Sequence, residues 1–139
     1  MFARFGHHDF ALLLIRLIVA AVFLFHGSQV LFGAFDGPGP ERFAAILHAS
    51  ATVGFLVGLA ELCAGLAMLT GILIRIGALC IAVVMVGAIA KVHLHHGFDI
   101  SKGGAEYALT QLVIALALLI SGPGRYSLGA RLPGPLRKL

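Results

Sequence analysis

Glu61 sits near the middle of an apolar run over residues 49–73. A carboxylate at that depth of a membrane-spanning segment costs several kcal/mol unless it is paired, protonated or turned toward a polar cavity. The first apolar run, residues 10–32, supplies candidate partners: Arg16, His26 and Gln29. Arg16 and His26 are ten positions apart, which sets them about 80° from each other round a helix, so one broad face holds both. Arg16 lies about five residues from its span centre, roughly 8 Å in height, and its side chain covers much of that distance toward Glu61. Glu61, Arg16 and His26 are therefore the candidate catalytic residues. The chemistry open to them is proton handling, or hydrogen bonding to a ligand inside a helix bundle. Two plainer readings stand beside it. Arg16 could snorkel to the headgroups, and Glu61 could only lock helix packing. If the two are paired, Glu61→Gln should be tolerated better than Glu61→Leu, because Leu strands a buried Arg.

A second polar set lies between the third and fourth apolar runs: Lys91, His93, His95, His96, Asp99 and Glu106. H-x-H-H resembles a metal-binding run. Three neighbouring histidines on a regular helix cannot all aim at one ion, so no metal ligand is assigned. The segment reads first as a partly solvated interfacial loop. A metal or redox-ligand site, and a quinone-headgroup or proton-relay role for His93, are the alternatives. His7 and His8 read as solvated. Cys63 and Cys80 form no C-x-x-C and read as small buried hydrophobes. The aromatic supply, ten Phe and two Tyr with no Trp, suggests interfacial anchoring by Phe2, Phe5, Phe10, Phe32, Phe35 and Phe43. No P-loop, GxGxxG or nucleophile elbow is present.

The elements that must position these residues follow from composition. The chain has 139 residues, 60% hydrophobic and 12% charged, whereas a soluble domain carries about 25% charged residues. Mean hydropathy is +1.02. The expected fold is all-α and integral to the membrane: a single domain over 1–139 forming a four-transmembrane-helix bundle. Its spans fall at about 10–32, 49–73, 76–93 and 104–121, with a basic tail over 122–139. GAFDGPGP at 33–40 cannot continue a helix. A short amphipathic piece over 41–48 should follow it. Residues 71–75 allow only a tight helical hairpin. Gly54 and Gly58 form a G-x-x-x-G, which brings helix backbones close, first within the chain and, as the alternative, between copies in a homo-oligomer.

The net charge of +4 raises nucleic acid as a partner, but the charges sit at segment ends and form no basic stripe. In a membrane protein such charge marks the cytoplasmic side. With four spans, Arg4, Arg75, Arg125, Arg131, Arg137 and Lys138 share one side; Arg42, Lys91 and Lys102 share the other. Six against three puts both termini in the cytoplasm and the histidine loop outside.

The chain resembles the DoxX family. The first run offers R-x9-HGSQ (Arg16, His26, Gly27, Ser28, Gln29), then Leu31 and Phe32. The second offers Ala60, Glu61, Gly65, Leu69, Gly71 and Arg75; the third ends in VHLHHGFD. GGAEYAL opens the fourth and GPGRYSL follows it. Val30 departs from a basic residue frequent after the Gln, and Gly129 from an acidic residue frequent after the last motif. The resemblance implies a four-helix protein of the bacterial inner membrane. Some relatives are linked to thiosulfate:quinone oxidoreduction, others to oxidative-stress complexes with superoxide dismutase and a sulfurtransferase.

Two functions follow. In the first, the chain is a membrane subunit of an oxidoreductase system whose cofactor is a quinone. His26 and Gln29 donate to a quinone carbonyl, and His93 and Glu106 connect the centre to outer water. In the second, it is a non-catalytic anchor or assembly factor for redox or stress-response partners. No complete catalytic constellation is present in either case.

Overall fold

A computed structural model describes residues 6–133. Arg4, Arg137, Lys138, Phe2 and Phe5, invoked above for orientation and anchoring, lie outside the described residues. Five α-helices follow in order: α1 (His7–Phe32), α2 (Gly39–Ile46), α3 (Ala51–Thr70), α4 (Ile74–Ala88) and α5 (Glu106–Ser121). The described residues hold no strand. Beyond Ala88 the α4 helix continues through a π turn, Ile89–His93, and a 3₁₀ turn, Leu94–His96. Three helical stretches are long and apolar enough to cross a membrane: His7–Phe32, Ala51–Thr70 and Ile74–His96. The α5 helix is apolar but shorter, at 16 residues. The protein is thus an all-α membrane protein.

Glycine and proline set the helix ends. Gly33 adopts a left-handed φ of 66° and turns its N–H back to the carbonyls of Ser28 and Gln29, closing α1. Pro40 enters the first turn of α2, where its missing N–H is no loss. Gly71 at φ 71° ends α3, and Leu73 at φ 53° completes the tight connection to α4. The expected hairpin and the short helix after GAFDGPGP are both present.

The helices α1 and α3 form the most extensive pair, and α4 packs on α5 and α3. Small residues let α1 and α3 approach. A Cβ on Gly27 would stand 2.5 Å from the Leu62 nitrogen; on Gly58, 2.8 Å from the Leu31 nitrogen; on Gly65, 2.8 Å from the Leu24 nitrogen. Gly54 receives the Pro40 carbonyl of α2. The G-x-x-x-G therefore packs within the chain. Val19, Phe23, Met68, Ile74, Ile81 and Leu118 fill the core. Leu14, Ile18, Leu56, Leu66, Val83 and Ile120 face outward, as expected of a surface solvated by lipid. Cys63 is exposed and Cys80 half-buried, so the expectation of two buried thiols is corrected. Hydrophobicity alone does not tell which face of α3 points in; its small residues do, with Gly54, Gly58 and Gly65 on the buried side beside Glu61.

Arg16 requires a larger correction. It neither snorkels nor pairs with Glu61. It is 1% exposed, and its guanidinium donates to four main-chain carbonyls: Nε to Met68 at 3.0 Å, Nη2 to Leu69 at 3.2 Å, and Nη1 to Pro123 at 2.8 Å and Tyr126 at 2.9 Å. The end of α3 and the segment after α5 are thereby bound to one point on α1. Two further bonds fasten that segment: Asp9 Oδ1 accepts the Arg125 N–H at 2.9 Å, and the Leu128 N–H reaches the Thr70 carbonyl at 2.9 Å. Gly129 lies directly against the Gly71 carbonyl, leaving no space for a Cβ. The basic tail expected over 122–139 is, through residue 133, a folded cap.

Arg16→Leu leaves these carbonyls without a donor. A hydrogen bond to a charged group contributes about 1.5–3 kcal/mol, so Arg16→Leu should lower stability by more than about 3 kcal/mol and release the cap. Denaturation in detergent and the rate of trypsin cleavage after Arg125 measure the two effects. A variant as stable and as slowly cut as the parent would show that the clamp contributes little.

Candidate ligand cavity around Glu61

At the other end of the bundle, residues of α1, α2, α3, α4 and the start of α5 surround an open space. It is a cavity of about 560 Å³. Phe23, Phe43, Val53, Val57, Val84 and Ala108 give it apolar walls. Its polar lining comes from Glu61, His26, His48, Lys91, His93 and Tyr107. This is the profile of a small-molecule site: mostly apolar, with a few convergent polar groups.

Backbone contact places Glu61. Gly27 of α1 lies against the main chain of Glu61 and Leu62, which holds this turn of α3 in the tightest part of the seam. The carboxyl is 7% exposed and lines the cavity, and Oε2 has no hydrogen-bond partner among the described residues. Gln111 Oε1 on α5 is likewise buried and without a partner. Native interiors rarely leave such oxygens unmatched, and each exception asks for a reason.

His26 follows directly from the same contact, being the neighbour of Gly27. Its ring stands 6.1 Å from that of Tyr107, tilted by 50°, and meets Phe25 edge-on at 5.7 Å. His93 enters through the π turn, which breaks the α-helical phase at the end of α4 and brings Lys91 and His93 both to the rim. Such turns recur at functional sites. The His93 ring is fixed by Nδ1 against the Gly103 carbonyl at 2.7 Å.

The other candidates are elsewhere. Arg16 is held at the opposite end by its carbonyls. Gln29 donates to the Phe35 carbonyl at 3.5 Å and packs on Gly37, so it braces the connection after α1 rather than lining the cavity. Glu106 Oε2 accepts the Ile100 N–H at 3.1 Å and pins the histidine loop to α5. His96 Nδ1 lies 2.9 Å from the Val92 carbonyl. Asp99 accepts from the Ser101 hydroxyl and N–H, which hold its carboxyl below the usual range. Among the described residues no group of three or more His, Cys, Asp or Glu is placed to hold a metal. Sequence reasoning missed Tyr107, His48 and Gly87 as cavity residues. Tyr107 carried one signal, its place one turn before Gln111 on the same helix face.

Fold and cavity define a small helical membrane protein with an apolar chamber around an unmatched carboxyl. The DoxX family model matches residues 11–94, a stretch that includes Arg16, His26, Glu61 and His93. The chain is also 36% identical over 129 residues to "Uncharacterized membrane protein Rv3486" of Mycobacterium tuberculosis, covering 85% of this chain and 78% of that protein. It belongs to the DoxX family. No solved structure matches it.

Because Arg16 is satisfied elsewhere, removing the Glu61 carboxyl strands no cation. This reverses the expectation drawn from pairing. A buried polar group without a partner costs about 1–3 kcal/mol. Glu61→Leu should therefore match or exceed both the parent and Glu61→Gln in thermal stability. A Leu variant clearly less stable than Gln would restore a structural partner for the carboxyl.

Proposed function

We propose that this protein is the membrane subunit of an oxidoreductase system and that its cavity receives a quinone-like ring. The observation that carries this reading is Glu61, buried and lining an apolar space of about 560 Å³, with Oε2 enclosed and without a partner among the described residues. The fit is chemical as well as spatial. A quinone presents flat apolar faces and a polar carbonyl edge. Phe23, Phe43 and the valines suit the faces; Glu61, His26 and Tyr107 suit the edge. A bound quinone would supply paired electron and proton transfer. The chain's own contribution is to orient the ring, exclude water from it, and hold or move a proton at the Glu61 carboxyl. His93 and Lys91 at the rim give that proton a route to water. Arg16, Gln29 and Glu106 then serve as positioning residues, since each braces backbone rather than facing the cavity.

The same proposal places the protein in the bacterial inner membrane as four spans with both termini cytoplasmic. The α5 helix is the fourth span. At 1.5 Å per residue it measures about 24 Å, short of the roughly 30 Å of hydrocarbon, a mismatch that local thinning accommodates.

Gly87 offers a clean test. It lines the cavity, and a Cβ there would have nothing within 4 Å. Gly87→Phe should fill the space without disturbing the fold. Binding of a short-chain benzoquinone to the purified protein should weaken by about tenfold or more, equivalent to about 1.4 kcal/mol, while the melting temperature holds. Glu61→Gln should bind but lose proton uptake coupled to reduction. Absence of quinone binding by the parent, with stoichiometric protein partners recovered instead, would favour the anchor reading.

For orientation, a fluorescent reporter fused after Leu139 should glow in cells, and alkaline phosphatase at the same place should stay inactive. The opposite pattern would invert the bundle and turn the cavity rim to the cytoplasm.

A further inference from the structure

We propose a second binding site, for the headgroup of an anionic phospholipid, at the capped end of the bundle. It is independent of the Glu61 cavity. That cavity opens beside Phe23 and His26 on α1, whereas the recess in question lies beside Leu13, more than two turns away. Its volume is about 620 Å³.

The recess has two unlike halves. Arg125, Arg131 and Leu128 line it from the folded cap, and Leu13 and Leu69 line it from the helices α1 and α3. Leu69 is 45% exposed and Leu128 52%, so the apolar half continues onto the outward surface. An apolar strip leading up to two guanidiniums fits an amphiphile with an anionic head. Arg binds phosphate oxygens through two parallel N–H donors. Basic pockets at the ends of spans take phospholipid heads for this reason.

The guanidiniums are mounted on a rigid frame. Arg16 holds the carbonyls of Pro123 and Tyr126, the Leu128 N–H bonds to Thr70, and Ser127 Oγ bonds to Gly124 and Ala130. The loop is therefore already in its binding shape and loses little freedom when a head arrives. Among the described residues the acid paired with Arg125 is Asp9. It lies 3.9 Å from Arg125 Nε, with Oδ1 already accepting the Arg125 main-chain N–H. That contact is long and does not neutralise both Arg residues. A free phosphate would use the guanidiniums and leave the leucines uncovered; a lipid uses both halves, and the proposal is for the lipid.

The test reconstitutes the full chain in vesicles of phosphatidylcholine, with and without phosphatidylglycerol, and follows thermal unfolding. Phosphatidylglycerol should raise the midpoint of the parent. Arg131→Gln breaks no side-chain bond within the described residues, and it should lose part of that rise. Arg125→Gln with Arg131→Gln should lose most of it. A charge-matched pair at the other end, Arg42→Gln with Lys102→Gln, should keep it. Inorganic phosphate added to phosphatidylcholine vesicles should not reproduce it. No rise in the parent overturns the site. So does a rise that survives the Arg125/Arg131 changes, or one lost equally in the control pair. An equal rise with inorganic phosphate overturns the assignment to lipid.

Discussion

One buried guanidinium organises this molecule. Among the described residues Arg16 has no carboxylate partner, and its charge is balanced by the dipoles of four carbonyls converging from two distant parts of the chain. A buried charge is tolerable only when its donors are matched. Matching them here requires the C-terminal end of α3 and the segment after α5 to be in place together. The clamp therefore ties the cap to the α1–α3 pair, beside the Leu128–Thr70 and Asp9–Arg125 bonds. It also accounts for the glycines at this end. Gly71 lies against the Arg16 guanidinium and Ser127, and Gly129 against Gly71. Side chains at either position would displace the carbonyls or their donor. Gly129, a departure from the family's pattern in sequence, has a steric reason in the fold.

The α1–α3 seam is the second constraint, and it acts along its whole length. Gly27, Gly58 and Gly65 remove Cβ atoms where the two backbones meet. In lipid there is no hydrophobic force to bring helices together, so close backbone approach and packing must do it. The seam fixes the height and rotation of α3 relative to α1. Glu61 and His26 owe their places to it, since Gly27 lies against one and is adjacent to the other. The polar residues of the cavity are thus set by contacts that are themselves apolar.

Much of the architecture was legible in the sequence because it rests on local rules. Gly33, Pro40 and Gly71 mark helix ends through their backbone preferences, and the apolar runs mark the long helices through composition. The prominence of Glu61 was legible for the same reason, as a charge in an apolar run. The partners of Arg16 were not. They are main-chain carbonyls, which carry no residue signature, and two of them lie 107 and 110 positions away. Pairing by side-chain type pointed to Glu61 because only side chains can be seen in a sequence. The π turn at Ile89–His93 was hidden likewise. It is a backbone choice in a stretch with no breaker residue, yet it decides that His93 and Lys91 share the cavity rim. Cys63 was misplaced because α3 has no polar face to set its phase.

The separation of Arg16 from Glu61 is what makes a ligand site physically reasonable. Had the two met, their charges and hydrogen bonds would have satisfied each other, and the centre of the bundle would be filled. Instead the cation is consumed at the end where the cap closes. The carboxyl is left at the opposite end, where Phe43 and Ile46 of α2 help wall the cavity. An unmatched carboxyl oxygen beside an apolar chamber is unfavourable for the folded chain alone and persists only if the surrounding packing holds it there. The glycine seam supplies that packing. A ligand offering a hydrogen bond to Glu61 relieves the mismatch, so the energy withheld from folding becomes available for binding.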